Sequence, residues 1–381
     1  MNVENFGIYV SIPFCRSKCI YCNFDSGIYS DSIREAYIEA LLEEIQNARK
    51  HSIQRDCLVD SVYFGGGTPS LIREKDLDLI VRAIESSFVL ANELEITIEA
   101  NPGTVDYNKA KTWASIGINR VSLGVQSFID KELKLLKRGY AIDDVSCSIQ
   151  ALRAARLDNI NLDLIAGLPF QTLDAWLYSL KKAFSIRPKH ISVYMLEIHE
   201  GTMLFELIRK NYLNIPGERL SIDMYNALIQ MAKAEGYEQY EISNFSLPGF
   251  YSHHNLKYWS DTAYLGFGCS AHSYDYKERR SNVKTPLKYI DAIQSRGEAV
   301  DERVFVTPQL RKQEAAFLGL RKIQGLNLKV FKANYNVDIL KEYAYDLKPL
   351  LEAGLIECHY GYLRLTKKGL LLSDTVFLVF V

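Results

Sequence analysis

Between residue 7 and about residue 195, short runs alternating apolar and polar positions repeatedly give way to longer runs with a helical apolar stripe. The strand-like runs cover 7–12, 60–64, 94–99, 119–126, 160–165 and 190–196. Ile33, Tyr37, Leu41, Ile45 and Ala48 mark one helix face between them. Leu77, Ile80, Val81, Ile84 and Phe88 mark another, and Trp176, Leu177, Leu180 and Phe184 a third. Strands separated by helices predict right-handed crossovers and a parallel sheet. The expected fold class is α/β: a partial (β/α)6 barrel of the TIM type, with a C-terminal α+β region.

The alternation within the strands predicts more than their existence. One face carries Tyr9 and Ser11, then Ser61, Tyr63 and Gly65, then Glu95, Thr97 and Glu99. The next three strands add Arg120, Ser122, Gly124 and Gln126, then Asn161 and Asp163, then His190, Ser192 and Tyr194. Parallel strands buried on both faces are usually apolar throughout. A closed eight-stranded barrel also fills its centre with branched apolar side chains. A polar face shared by six strands therefore predicts a cavity for a polar ligand. The bland alternative is a half-exposed sheet, although covering helices would leave it little open side.

After residue 196 the rhythm breaks. Helical patterns at 218–235 and 286–296 flank a loop-rich stretch that includes 252–259 and 266–273. Helices are expected again at 309–323 and 337–353. A hairpin signal follows at 355–359 and 362–366 around Tyr360-Gly361, and then a short run at 367–372. Helices followed by a small hairpin suggest a winged-helix-like module. The chain divides into a barrel over 1–200, a linking, cofactor-associated region over 201–305 and this module over 306–381.

Composition narrows the function classes. Hydrophobic residues make up 48% of the 381 residues and charged residues 24%, ordinary values for a chain with a real core. The net charge of −1, with no long run of one sign, argues against a nucleic-acid-binding surface. No apolar stretch approaches transmembrane length. Met1 to Tyr9 lack the sections of a signal peptide. A cytoplasmic protein is expected, with room for peripheral membrane contact. Of seven cysteines, Cys15, Cys19 and Cys22 are packed together, while Cys57, Cys147, Cys269 and Cys358 are scattered. An odd total with one tight group describes a cofactor site better than a disulfide framework.

That group, Cys15-Arg-Ser-Lys-Cys19-Ile-Tyr-Cys22, directly follows the first strand. Thiolates are the standard iron–sulfur ligands, and a [4Fe–4S] cube normally takes four. Three leave one iron without a protein ligand. The competing readings are three unrelated thiols or a zinc site completed by a distant histidine, although zinc sites usually pair C-x2-C with a second ligand pair. The triplet, with Gly65-Gly66-Gly67-Thr68-Pro69 one βα unit later, resembles the radical S-adenosylmethionine (SAM) superfamily. The resemblance implies a [4Fe–4S] cluster on Cys15, Cys19 and Cys22. It also implies SAM chelating the open iron, with the glycine loop meeting its amino group through backbone carbonyls.

Longer strings are more specific. Tyr9-Val-Ser-Ile-Pro-Phe-Cys15, Ile98-Glu99-Ala-Asn-Pro102, Ser122-Leu-Gly-Val-Gln126-Ser-Phe128 and Asp163-Leu-Ile-Ala-Gly-Leu-Pro169 resemble the oxygen-independent coproporphyrinogen oxidase group. By that resemblance Tyr9, Tyr21, Gly66, Gly67, Thr68, Glu99, Gln126, Arg138 and Asp163 contact SAM. Glu99 and Asp163 suit ribose hydroxyls or an ammonium, and Arg138 suits a carboxylate. Singly, Arg138 could equally be a surface charge and Asp163 a structural or capping carboxylate.

Within the group, three features are similar to the HemW-type heme chaperones. Phe24 stands where the oxidases carry another cysteine, only eight residues precede Tyr9, and His254-Asn255-Leu-Lys-Tyr258-Trp259 matches an H-N-x-x-Y-W motif. Asn23, where such proteins more often have Asp, is a small departure. The resemblance implies heme as a third cofactor, with contacts at His254, Tyr258 and Trp259. It also implies delivery of heme to acceptor hemoproteins such as respiratory enzymes, with a heme donor protein as a further partner. Coproporphyrinogen oxidase activity is not expected and no catalytic residue is assigned. The alternative is an oxygen-independent coproporphyrinogen III oxidase or another tetrapyrrole-directed radical SAM enzyme.

Overall fold

The computed structural model describes residues 5–48 and 57–381. Six parallel strands, β1 (Asn5–Ile12), β2 (Leu58–Gly66), β3 (Leu90–Ala100), β4 (Arg120–Gln126), β5 (Ile160–Ala166) and β6 (His190–Met195), lie side by side in chain order. Each expected strand is present. Their apolar faces, including Ile8, Val10, Phe64, Ile98, Val121 and Leu162, are completely buried. Against them pack the three expected helices, Asp31–Ala48, Glu74–Ser87 and Leu173–Ile186. Trp176 is fully buried and its indole N–H donates to the Met224 carbonyl (2.9 Å), tying its helix to Glu218–Ala234. Helices Tyr107–Ser115, Asp130–Leu135 and Ile142–Ala154 complete the crossovers without having been expected from periodicity.

The polar faces turn inward. Ser61, Thr97, Arg120, Ser122, Asn161, His190 and Ser192 are all buried. This excludes the half-exposed sheet, and six parallel strands enclosing a polar interior constitute the expected partial barrel.

The stretch from 238 to 305 corrects the loop-rich expectation. Strands β7 (Glu238–Gln239) and β8 (Asn244–Ser246) extend the sheet antiparallel beyond β6. On the other side β9 (Tyr264–Phe267) runs parallel to β1, followed by antiparallel β10 (His272–Tyr274), β11 (Glu278–Asn282) and β12 (Val300–Phe305). All twelve strands form one sheet. Strands of two to six residues are too short for alternation to register, and β11 is almost wholly polar. Partly buried Glu44 bolts the first helix to this extension. It accepts from Tyr289 Oη (2.6 Å), the Gly268 N–H (2.8 Å) and Asn282 Nδ2 (2.8 Å). Residues 253–258 are also not loop: His253–Tyr258 is a helix, capped by Ser252 Oγ on the Asn255 N–H (3.3 Å).

The C-terminal module has its own core, including Ala316, Leu320, Phe331, Leu347, Leu363 and Phe380. Its hairpin joins β14 (Ile356–His359) to β15 (Tyr362–Leu365), and β13 (Leu326–Asn327) pairs with β15. The two turn residues Tyr360 and Gly361 both have positive φ (45° and 82°), as a tight two-residue hairpin turn requires. The helix expected over 337–353 is two pieces, Ile339–Glu342 and Ala344–Glu352, separated at Tyr343. Among the described residues no helix is long and apolar enough to cross a membrane.

Candidate functional site

The loop after β1 is pinned at several points. The Cys15 N–H donates to Gly27 O (2.8 Å), the Gly27 N–H to Pro13 O (2.9 Å), and the Leu204 N–H to Ile20 O (2.8 Å). Ile20 is buried with Leu136, Ile165, Leu168 and Leu204, an apolar plug between the cysteines. Cys15, Cys19 and Cys22 remain half-buried and line a cavity of about 600 Å³ at the C-terminal ends of the strands. Thr68 Oγ1 lies 3.7 Å from Cys15 Sγ, and Arg138 Nη1 donates to Cys19 Sγ at 3.3 Å. A hydroxyl and a guanidinium thus stand beside two of the three sulfurs. Burial pushes the Cys22 thiol up. None of the other four cysteines lines the cavity.

The glycine run closes one wall. Gly66 has φ +109°, and a Cβ on Gly67 would stand 2.8 Å from the Phe14 carbonyl oxygen. The Gly67 N–H donates to Ile12 O and the Thr68 N–H to Phe14 O, both at 2.8 Å. Backbone therefore packs directly on the cluster-binding loop, which only glycine permits.

The opposite wall is electrostatic. Glu99 accepts from Tyr63 Oη (2.9 Å), and its carboxyl is pushed up to about 7 by burial and then by the negative charge of Asp163. Asp163 accepts from Ser122 Oγ (2.7 Å) and Asn161 Nδ2 (2.8 Å), and burial raises it as well. Neither carboxylate has an ion-pair partner among the described residues. Two such groups around one cavity call for a cationic ligand. SAM, with its sulfonium and ammonium, meets that demand. Arg138 donates through Nη2 to Gly124 O (2.8 Å) and Asn101 Oδ1, and lies over the Tyr140 ring (5.0 Å). A guanidinium so fixed beside Cys19 is placed for a carboxylate near the cluster. The donor set fits both a [4Fe–4S] cluster and SAM.

Of the nine expected SAM residues, Tyr21, Gly66, Gly67, Thr68, Glu99, Gln126, Arg138 and Asp163 line the cavity together. Tyr9 does not. It lies deeper, stacked on Tyr63 with ring centroids 6.1 Å apart, because its position on β1 falls below the mouth. Sequence reasoning missed Asn101 and Tyr140 as lining residues, while Tyr194 stands on the expected polar face. Asn101 was visible in the Ile98–Pro102 string, while Tyr140 sits in a turn with no periodic signal.

The three expected heme residues stay in contact through Tyr258, but His254 does not share the cavity that the other two line. His254 is 1% exposed, with Nδ1 bonded to Ser61 Oγ (3.0 Å) and Nε2 to Tyr258 Oη (3.0 Å). Burial lowers its pKa to about 3, so the ring is neutral. Both nitrogens are engaged inside the fold, and an iron ligand would have to give one up. Neighbouring His253 is exposed. Tyr258 and Trp259 line a second cavity, of about 370 Å³, with Tyr264, Arg279, Glu314 and Phe317. The Trp259 indole N–H is buried without a hydrogen-bond partner. Replacing His254 with Ala should leave two hydroxyls unpaired at a cost of about 1–3 kcal/mol. Thermal unfolding should then shift down by several degrees while the cluster still assembles; an unchanged Tm would contradict the packing role.

The radical SAM superfamily model matches residues 9–183, and the HemN C-terminal domain model matches 306–372. Heme chaperone HemW of Bacillus subtilis is 36% identical over 377 residues, 98% of this chain and 98% of that one. Heme chaperone HemW of Lactococcus lactis is 32% identical, covering 97% and 95%. In three dimensions, the radical SAM enzyme coproporphyrinogen III oxidase (HemN) of Escherichia coli superposes with a TM-score of 0.85 at 23% identity, over 99% of this chain and 90% of that one. That last likeness concerns the fold.

Proposed function

This chain belongs to the HemW family of radical SAM proteins, and on that premise we propose that it is a heme chaperone, binding heme and passing it to acceptor hemoproteins. The observation that carries this reading is the end-to-end sequence likeness to chaperones, supported by Phe24, exposed at the rim where the oxidases have a cysteine. Cys15, Cys19 and Cys22 would hold the cluster, and SAM would occupy the adjoining cavity. When bound, the pair supplies reductive cleavage of the SAM sulfur–C5′ bond. Arg138 orients a carboxylate, Glu99 and Asp163 accept from the cationic and hydroxyl groups, and the Gly66-Gly67 backbone leaves room for the ligand.

Heme would be received around residues 252–259. Tyr258 and Trp259 offer flat aromatic surface at the second cavity, and the Trp259 indole N–H has no partner. An imidazole of the His253–His254 pair would supply the axial ligand. Heme titration followed by the Soret band tests this with His253→Ala, His254→Ala and Trp259→Ala. The expected result is weaker binding in Trp259→Ala and an altered Soret band in His253→Ala, the variant of the exposed ring. A band altered only in His254→Ala would mean that the helix opens to free that ring. Wild-type spectra and affinity in all three variants would remove heme from this segment.

The oxidase alternative has a direct test. Anaerobically reconstituted protein with SAM and reductant should not convert coproporphyrinogen III, measured by porphyrin fluorescence. Robust protoporphyrinogen formation would replace the carrier reading with the catalytic one.

A further inference from the structure

The loop that carries the three cysteines is clamped at its far end. Gly27 forms a β-bridge with Phe14; its N–H donates to Pro13 O (2.9 Å) and its carbonyl accepts from the Cys15 N–H (2.8 Å). Just before the clamp the Ser26 N–H donates to Phe24 O (2.8 Å), a tight turn whose carbonyl also accepts from Lys18 Nζ (3.0 Å). Residues 25 and 26 are thereby fixed and turn different ways. Asp25 is exposed and accepts from Ser270 Oγ (2.8 Å), away from the cavity. Ser26 is 8% exposed and lines the cavity together with Cys15, Cys19 and Cys22.

Ser26 Oγ is buried without a hydrogen-bond partner. A buried hydroxyl left unpaired is costly, and native folds satisfy nearly all such groups. The other two sulfurs show what kind of partner fits. Thr68 Oγ1 stands 3.7 Å from Cys15 Sγ and Arg138 Nη1 donates to Cys19 Sγ at 3.3 Å, so each of these sulfurs faces one side-chain donor. Ser26 holds the equivalent place at Cys22. Burial raises that thiol, while the Phe24 backbone N–H and the Ser26 hydroxyl draw it back down. The hydroxyl is therefore close to the sulfur without closing a bond to it, and its proton is free for an acceptor held at the cysteines.

We propose that Ser26 is the hydrogen-bond donor of the third corner: its hydroxyl donates to a sulfur of the cluster at Cys22 and so raises the cluster's reduction potential. The inference rests on the cluster reading given above and adds a role that this reading does not contain. One-electron reduction puts further negative charge on the cluster and its sulfurs. A donor stabilises the more negative form more strongly, so each hydrogen bond to sulfur moves the potential upward. The proton stays on Ser26 Oγ in both oxidation states.

Anaerobic redox titration of the reconstituted full chain without SAM tests the assignment, with dithionite as the one-electron donor and the reduced cluster read by electron paramagnetic resonance. Ser26→Ala should take up as much iron and sulfide as wild type. At the potential where wild type is half reduced, its ratio of reduced to oxidised cluster should be lower by roughly threefold, the scale of one hydrogen bond. Ser26→Thr keeps the hydroxyl and should restore the wild-type value. A wild-type potential in Ser26→Ala, or equal shifts in the Ala and Thr variants, would overturn the proposal. Wild-type protein that assembles no cluster would instead remove the cluster reading itself. Should Ser26→Ala hold no cluster, a crystal structure of the loaded wild-type chain decides. Ser26 Oγ is expected within hydrogen-bonding distance of Cys22 Sγ or a cluster sulfide; an Oγ bonded to water alone would count against the role.

Discussion

Protein in which Cys15, Cys19 and Cys22 are all replaced by Ala should carry no cluster after anaerobic reconstitution. Wild-type protein should take up about four iron and four sulfide per chain, with broad visible absorption that air bleaches. The loss should be complete because no other thiol can substitute: Cys269 is buried against Tyr37, and Cys147 and Cys358 are exposed away from the cavity. Replacing Cys358 alone should leave iron content unchanged. Arg138→Ala should occupy an intermediate position, assembling a cluster that bleaches faster, because the guanidinium beside Cys19 Sγ is gone. Iron and sulfide assays with the visible spectrum check all three variants. Full cluster retention in the triple variant would remove the assignment.

SAM affinity should fall by roughly tenfold or more in Glu99→Ala or Asp163→Ala, since a hydrogen bond to a charged group contributes about 1.5–3 kcal/mol. Its dependence on pH carries a distinct signature. Glu99 has its carboxyl raised to about 7 in the folded protein, well above its ordinary value. Between the two values the folded state binds more protons than the unfolded state. The stability associated with this group is therefore present at low pH and lost as pH rises through about 7. A cationic ligand beside the ionised carboxylate offsets that loss. The rise in Tm produced by SAM should consequently be larger at pH 8 than at pH 6, and SAM should bind roughly tenfold more tightly at the higher pH. Glu44, also near 7, titrates over the same range without touching the cavity, so Glu99→Gln is the control that isolates the site. A pH-independent SAM increment in wild type would place the ligand away from Glu99.

Much of the barrel was legible because its causes are local. Six inward polar faces came from two-residue alternation alone, which states where side chains point before any strand has a neighbour. The cysteine spacing and the glycine run were equally local: ligand number follows from the thiols, and close backbone approach follows from the missing Cβ at Gly67. The strands β7–β12 were not legible. Their pairing energy comes from partners up to hundreds of residues away, and strands this short carry no period of their own.

The same division separates the two candidate sites. By itself the sequence singled out the candidate cluster ligands, the polar barrel lining and the family, because each depends on residue type at a fixed spacing. Tertiary structure alone decided that eight of the nine expected SAM residues share one cavity while Tyr9 lies below it. It also decided that His254 is buried between Ser61 and Tyr258, while His253 beside it is exposed. Adjacent residues on a helix point about 100° apart, and only the packing of that helix against the barrel fixes which of the two rings faces inward.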